Sequence, residues 1–318
     1  MHAAAQNLRG GVSPRGIRLR GQGIIEYVLI IAVIGLVIVF AGPGVAGAIR
    51  NQFNLVGNTV NNGTVGGVEG GASGGSSTGA DSATVQAAIA KDAKDWTLDE
   101  QKAVAEDIAA KGEASPAYAK AMAAMDANTK WSIKLTNSKT LEYRIIGIDH
   151  DDLADGSGKA GLTFESTNNA MSGQRMNATD TNVGGWEKSE LRVRLNSGDL
   201  LALLPAEVQS KAKAVTKMTD NQGGGKAGTP SATTDKVFLL SSTEVWGDLQ
   251  SDGTQYEYYK SKGVTKSNYS GASLSYDRWT RSVSPSYSAY FRYVCSYGDW
   301  NSLYGATYTY GVFPAWCF

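Results

Sequence analysis

From Ile24 to Gly42 the chain runs for 19 residues with a single charge, Glu26. As a helix this stretch would rise about 28 Å, close to the ~30 Å hydrocarbon core of a bilayer. Residues 1–21 carry Arg9, Arg15, Arg18 and Arg20 and no acid. Positive-inside bias therefore keeps this leader in the cytoplasm and sends the remainder outward. An ordinary secretory signal would have the same order, with Ala46-Gly47-Ala48 as a weak cleavage candidate. Glu26 argues for something else, because a carboxylate at the start of an apolar helix is costly and marks a functional position.

The arrangement of Gly21, four residues, Glu26-Tyr27 and a long apolar helix resembles the precursor of Flp-type (tight-adherence) type IV pilins, over about residues 15–56. The resemblance implies cleavage after Gly21 by a prepilin peptidase, leaving Gln22 as the first residue. It implies that Glu26 and Tyr27 serve assembly with other pilin subunits, Glu26 pairing with the new α-amino group in a low-dielectric filament core. It places the chain in the inner (cytoplasmic) membrane before assembly and at the cell surface afterwards. Pilins of that family are short, whereas this chain continues far beyond the helix, so the reading is an anchor carrying cargo.

The cargo is neither a nucleic-acid binder nor an obvious enzyme by composition. Lys+Arg and Asp+Glu number 30 each, so no net positive charge draws the chain to a phosphate backbone. Two cysteines and two histidines leave little material for zinc sites or Ser-His-Asp catalysis. Residues 57–82 are a Gly/Ser/Asn run without apolar periodicity, expected as a flexible linker. Residues 83–130 are Ala-rich and expected to be a short helical spacer. There Thr97 and Glu100 form a capping box, Gly112 forms a C-terminal cap, and Ser115-Pro116 opens a second helix.

From Trp131 the texture changes. WSIKLT and LEYRIIGI read as strands, and Trp186–Arg192 leads into a helix with apolar Leu191, Val193 and Leu195. Pro205 begins another helix, and Lys236–Leu240 reads as a buried strand. Strands and helices without repeated βαβ units predict an α+β fold. Several segments of 131–318 fall in the order of an uncharacterised extracellular domain family of bacteria and phages, which the chain resembles. They are Ile146–Asp152, Asn182–Trp186 with Ser189 and Leu191-Arg192, Phe238–Val245, Trp279–Ser282, Phe291-Arg292 with Val294, and Gly311-Val312 with Pro314-Ala315. Thr280 and Val283 depart from that pattern, which has Leu and Pro there. The family is similar to C-type-lectin-like folds, including the formylglycine-generating-enzyme group and the variable proteins of diversity-generating retroelements. The resemblance implies such a ligand-binding domain at 131–318.

The candidate site is compositional. Of 15 tyrosines, 12 lie between Tyr256 and Tyr310, interleaved with Ser, Gly, Asn, Asp and Thr. Tyr gives large amphipathic contact at low entropic cost, and its small polar neighbours adapt their hydrogen bonds. Tyr287, Tyr293, Ser296, Tyr297, Asp299, Asn301, Ser302, Tyr304, Thr307 and Tyr308 are the expected ligand-binding residues, with Phe291 and Val294 in the core. A Tyr-rich β-domain whose rings fill its own grooves is the bland alternative. From Ser286 to Tyr310 there is no Lys, Gln, Glu or Met. That is the residue set left when the adenines of AAC or AAT codons are randomised, with Trp300 as fixed scaffold. The pattern fits a diversified segment.

Competing chemistry is thinner. Asp149, Asp151, Asp152 and Asp155 could form a calcium loop, but the EF-hand's twelfth position holds Ala160. His150 beside these acids reads as a hydrogen-bonded structural histidine. Cys295 and Cys317 are compatible with either a disulfide or two separate thiols. The expectation is therefore a pilin-like surface adhesin with no catalytic residue, metal or cofactor. Its partner would be a host or bacterial surface protein or glycan. The alternative is a signal-anchored sugar-binding module or enzyme of the sulfatase-modifying type, favoured if several acids and His150 converge in one pocket.

Overall fold

The computed structural model describes residues 82–247 and 249–318. The leader (1–21), the apolar segment (22–56) and all but the last residue of the linker (57–82) lie outside the described residues, and with them Gly21, Gln22, Glu26 and Tyr27.

Three helices come first. Helix α1 (Ala83–Ala90) is capped by Ser82, whose hydroxyl accepts from the Val85 N–H. Helix α2 (Leu98–Lys111) starts with the Thr97–Glu100 capping box and ends at Gly112, at φ +58°. Helix α3 spans Tyr118–Asp126. Pro116 therefore does not open that helix. Ser115 donates its hydroxyl to Asp107 of α2 at 2.5 Å and accepts from the Ala117 N–H, holding residues 115–117 in a turn before the helix begins.

The remaining helices are α4 (Glu190–Ser197), α5 (Ala206–Lys211), α6 (Ser242–Trp246) and α7 (Glu257–Ser261). On α4, Leu191 and Leu195 are buried, but Val193 is exposed. It lies two residues from each, on the opposite side of a 3.6-residue turn.

The first sheet runs β1 (Trp131–Lys134), β2 (Thr140–Ile148), β3 (Leu162–Ser166), β12 (Ala315–Cys317) and β7 (Val237–Phe238), antiparallel throughout. Trp131, Tyr143, Phe164 and Trp316 share one face and pack edge-on and tilted at 5.1–6.1 Å. Helices α1 and α2 cover this face. The Trp96 ring stacks on Trp131, the Trp131 indole donates to the Ala93 carbonyl, and the Tyr143 hydroxyl donates to Gln101. Gly161 lets α2 touch the strand backbone, for a Cβ there would lie 1.8 Å from the Ala105 carbonyl oxygen. On the other face Arg144 and Glu165 sit directly opposite each other and pair at 3.2 Å beneath Tyr258 and Tyr259 of α7.

The second sheet runs β10 (Leu303–Gly305), β9 (Tyr290–Val294), β8 (Arg278–Val283), β11 (Tyr310–Gly311) and β4 (Gly173–Gln174), with β8 and β11 parallel. Strands β5 (Val215–Thr219) and β6 (Ser231–Asp235) form a separate antiparallel pair.

This arrangement corrects the expected fold: an α+β chain with a pilin-like helix, a helical spacer and a distinct C-type-lectin-like domain. Helices and sheets are mixed, and the longest helix among the described residues is α2, with 14 residues. No described helix is long and apolar enough to cross a membrane. The helical segment is not a spacer either, because Val85, Ala88, Val104 and Ile108 belong to the same core as the first sheet.

Candidate functional site

The tyrosine-rich segment does not form one uniform surface. Tyr256, Tyr258 and Tyr259 are buried on or beside α7, with hydroxyls committed to Asp151, Arg144 and Glu165. Burial first, and then Glu165, pushes the Tyr259 phenol up. These rings are core, as the bland alternative holds.

A second group of rings lies on one face of the second sheet. Trp279 and Phe291 are buried at its base, 6.4 Å apart and edge-on. Tyr293 is across from Trp279 and Tyr304 is across from Phe291, so strand pairing puts all four on the same side. Tyr293 stacks on Tyr310 at 4.3 Å, and Tyr304 reaches Tyr310 at 5.7 Å and Tyr308 at 4.0 Å. The layer grades from buried Trp279 through half-buried Tyr293, Tyr304 and Tyr310 to Tyr308, which is 52% exposed. Burial and then the Tyr293 hydroxyl hold the Tyr310 phenol above its ordinary value, and the neighbouring Tyr308 does so for Tyr304. The Tyr304 and Tyr310 hydroxyls are therefore neutral donors at neutral pH.

At the start of β9, Tyr287 stacks on Tyr290 at 5.0 Å and is 54% exposed. The Asn182 side chain donates to the carbonyls of both. The β9–β10 connection presents Ser296, Tyr297 and Asn301 to solvent. Asp299 is half-buried; its carboxylate accepts from the Asn301 N–H and its own N–H donates to Cys295 Sγ. Thr307 is exposed and donates to Asp180 at 3.4 Å. Ser302 is the exception among the expected binding residues: it is 8% exposed. The reason is register, since its carbonyl accepts from the Tyr293 N–H and extends the β9–β10 pairing.

Beside the ring layer is an open depression of about 420 Å³ lined by Asn169, Ser275, Tyr276, Asp277, Ser296 and Tyr310. Sequence reasoning counted Tyr276 among the clustered tyrosines but did not bring in Asn169, Ser275 and Asp277. Ser275 and Asp277 precede Ser286, where the stretch read as diversified begins, and Asn169 reaches the site from a distant loop.

The acids and His150 also converge. A cleft of about 330 Å³ is lined by Asp149, His150, Asp152, Lys159, Thr254 and Glu257, with Asp151, Lys217 and Glu244 at its floor. The floor is a balanced ion network. Lys217 Nζ lies 2.6 Å from both Asp151 Oδ1 and Glu244 Oε1, and Arg281 pairs with Glu244 through both terminal nitrogens. Tyr256 and Thr163 donate to Asp151, and Cys317 Sγ approaches it at 3.5 Å. Burial alone would raise Asp151, but the Lys217 charge outweighs it and holds the carboxyl below its usual range. His150 Nδ1 lies 3.0 Å from Glu257, and its ring stacks on Tyr256 at 4.2 Å. Among the described residues no group of three or more His, Cys, Asp or Glu could hold a metal ion. Asp151 is turned inward to Lys217, and Asp155 accepts from Ser157 in a local turn. Cys295 and Cys317 are both buried free thiols.

Most of the segments that carried the sequence resemblance are joints of the scaffold. Trp186 donates its indole N–H to Asp235, Ser189 caps α4, and Arg192 pairs with Asp235 at 2.6 Å. Ser241 and Glu244 form the capping box of α6 while Glu244 holds Arg281.

A family model described as a domain of unknown function (DUF6273) matches residues 157–318. Neither the curated proteins nor the solved structures give a match.

Proposed function

The chain belongs to the family of the domain of unknown function DUF6273, whose match spans just over half its length, and from that premise we propose a recognition module: a cell-surface adhesin that binds its ligand through the tyrosine face of the second sheet. The observation that carries the reading is the graded ring layer, in which Tyr308 is exposed above Tyr304, Tyr310 and Tyr293. Rings held by their neighbours lose little freedom when a ligand covers them, and neutral phenols supply directional hydrogen bonds. The hydroxyls and amides around them, Ser296, Asn301 and Thr307, suit a surface protein or glycan. The Arg-rich leader and apolar run support export.

The test is binding of the full chain in detergent to a glycan array and to a phage-displayed library of linear peptides. Tyr308→Ala and Tyr287→Ala should each weaken binding of the selected probe by roughly thirtyfold, about 2 kcal/mol, without lowering the melting temperature. Unchanged binding in both variants would overturn the reading.

A second reading, an enzyme centred on the acid-lined cleft, is favoured by one observation. Burial first, and then Glu257 and Asp152 against Lys159, raises the Asp149 carboxyl at the rim beside His150. It is the weaker reading because Asp151, Glu244 and Glu257 are each paired with a neighbouring Lys, Arg or His. Turnover of any substrate that is lost in Asp149→Asn with folding intact would favour it.

A further inference from the structure

The depression beside the ring layer has unusual walls. It is lined by two rings, Tyr276 and Tyr310, and by Asp277, Asn169 and small hydroxyl residues, with no Val, Leu, Ile or Met and no Lys or Arg. Asp277 stands just before β8 and is fixed from two sides. Its Oδ1 accepts from the Ser296 N–H at 2.7 Å, and its carbonyl accepts from the Gly311 N–H. Its Oδ2 has no partner among the described residues. The Asn169 amide has none there either. Its Oδ1 is shut away from solvent, which leaves the NH2 group as the end that can meet a ligand. Tyr276 is 52% exposed and, unlike Tyr287 and Tyr308, packs on no other ring among the described residues. The depression thus combines a fixed acceptor, a donor and an uncovered ring.

That set matches a pyranose. A sugar ring carries neighbouring hydroxyls, each both donor and acceptor, around an apolar C–H face. One hydroxyl can donate to Asp277 while the next accepts from Asn169, and the C–H face can lie on the electron-rich face of Tyr276. A peptide anchor needs a desolvated apolar pocket, which this lining does not form. An anionic chain would meet the Asp277 charge with no cation in the lining to offset it. Its place would be the adjoining depression beyond Gly173 and Thr309, where Arg175 and Arg194 stand.

We propose that the depression is a subsite for one sugar unit of a neutral glycan, with Tyr276 as its platform, Asp277 accepting from a hydroxyl and Asn169 donating to the next. Tyr310 lines the depression and also packs on Tyr304, so the chain continues from the subsite onto the ring layer. This rests on the reading that the tyrosine face binds the ligand, and it narrows that ligand to a carbohydrate.

The test applies the full chain in detergent to an array of neutral hexose and N-acetylhexosamine oligosaccharides with their sialylated and sulfated forms, and to the phage-displayed peptides. A neutral chain should be retained. Asp277→Asn keeps an acceptor for the Ser296 N–H while losing the charge. It should weaken binding of the retained chain by roughly tenfold, about 1.4 kcal/mol, with the melting temperature unchanged. Tyr276→Ala should do the same, and Tyr276→Phe, which keeps the ring, should not. A deoxy form of the retained chain lacking the paired hydroxyl should lose a similar factor on the native protein and little more on Asp277→Asn. Retention of sialylated or sulfated chains alone, or of peptides alone, would overturn the subsite. So would a neutral chain that needs Tyr308 but is indifferent to Asp277→Asn and Tyr276→Ala, a result that spares the tyrosine face. If no probe needs Tyr308 or Tyr287, both readings fall.

Discussion

Glu244 shows what individual side chains do in this domain. It caps α6, pairs with Arg281 through both oxygens and shares Lys217 with Asp151. Removing its charge leaves two buried cations short of a partner. Glu244→Gln should therefore destabilise the fold by roughly 3–5 kcal/mol, measured by urea denaturation. His150 gives a prediction of opposite pH sense to the carboxylates. Burial lowers it, but the hydrogen bond to Glu257 and the charge of Asp151 outweigh burial, so its folded pKa is raised. A raised folded value means its stabilisation is complete below the unfolded pKa and is lost as pH rises through the folded one. The melting-temperature gap between the native chain and His150→Gln should be largest near pH ~5.5 and shrink toward pH ~9. Much at this scale was legible beforehand. Thr97 with Glu100 and Gly112 could be read from their spacing, and Phe291 and Val294 could be picked out as apolar residues among Tyr, Ser and Asn. The Lys217–Asp151–Glu244–Arg281 network could not, because its members are scattered along the chain and only tertiary folding brings them together.

At the scale of elements, the ring face and the core beneath it should separate by experiment. Phe291→Ala removes a buried ring and should cost roughly 3–5 kcal/mol of folding stability. Tyr308→Ala removes an exposed one and should leave the melting temperature nearly unchanged while costing on the order of 2 kcal/mol of binding. Tyr304, stacked and half-buried, should fall between. Sequence composition marked the tyrosine-rich stretch but not its division, since Tyr258 and Tyr259 look like Tyr293 and Tyr304 until α7 is seen inserting them beside the Arg144–Glu165 pair. Helices α1 to α3 were misjudged as a spacer for a similar reason. Ala-rich segments have a weak apolar signature, and their role appears only where Ala105 meets Gly161 and Trp96 meets Trp131. A chain beginning at residue 131 should consequently be less soluble and melt lower than one beginning at residue 82, by circular dichroism.

For the whole molecule, the export reading is tested at the N terminus. Mass spectrometry of surface-sheared protein should find Gln22 first, and an N terminus near residue 49 would point to an ordinary secretory signal instead. The order of strands has a different consequence. Strand β12 lies at the interior of the first sheet, joining β3 to β7, yet it comes after the tyrosine-rich segment in the chain. A stop codon or frameshift anywhere in residues 286–310 would thus delete the strand that joins β1, β2 and β3 to β7. Substitutions in that stretch keep the sheet whole, whereas errors of reading frame break it. Folding itself then acts as a proofreader, accepting variants of the tyrosine face only when the frame has been kept.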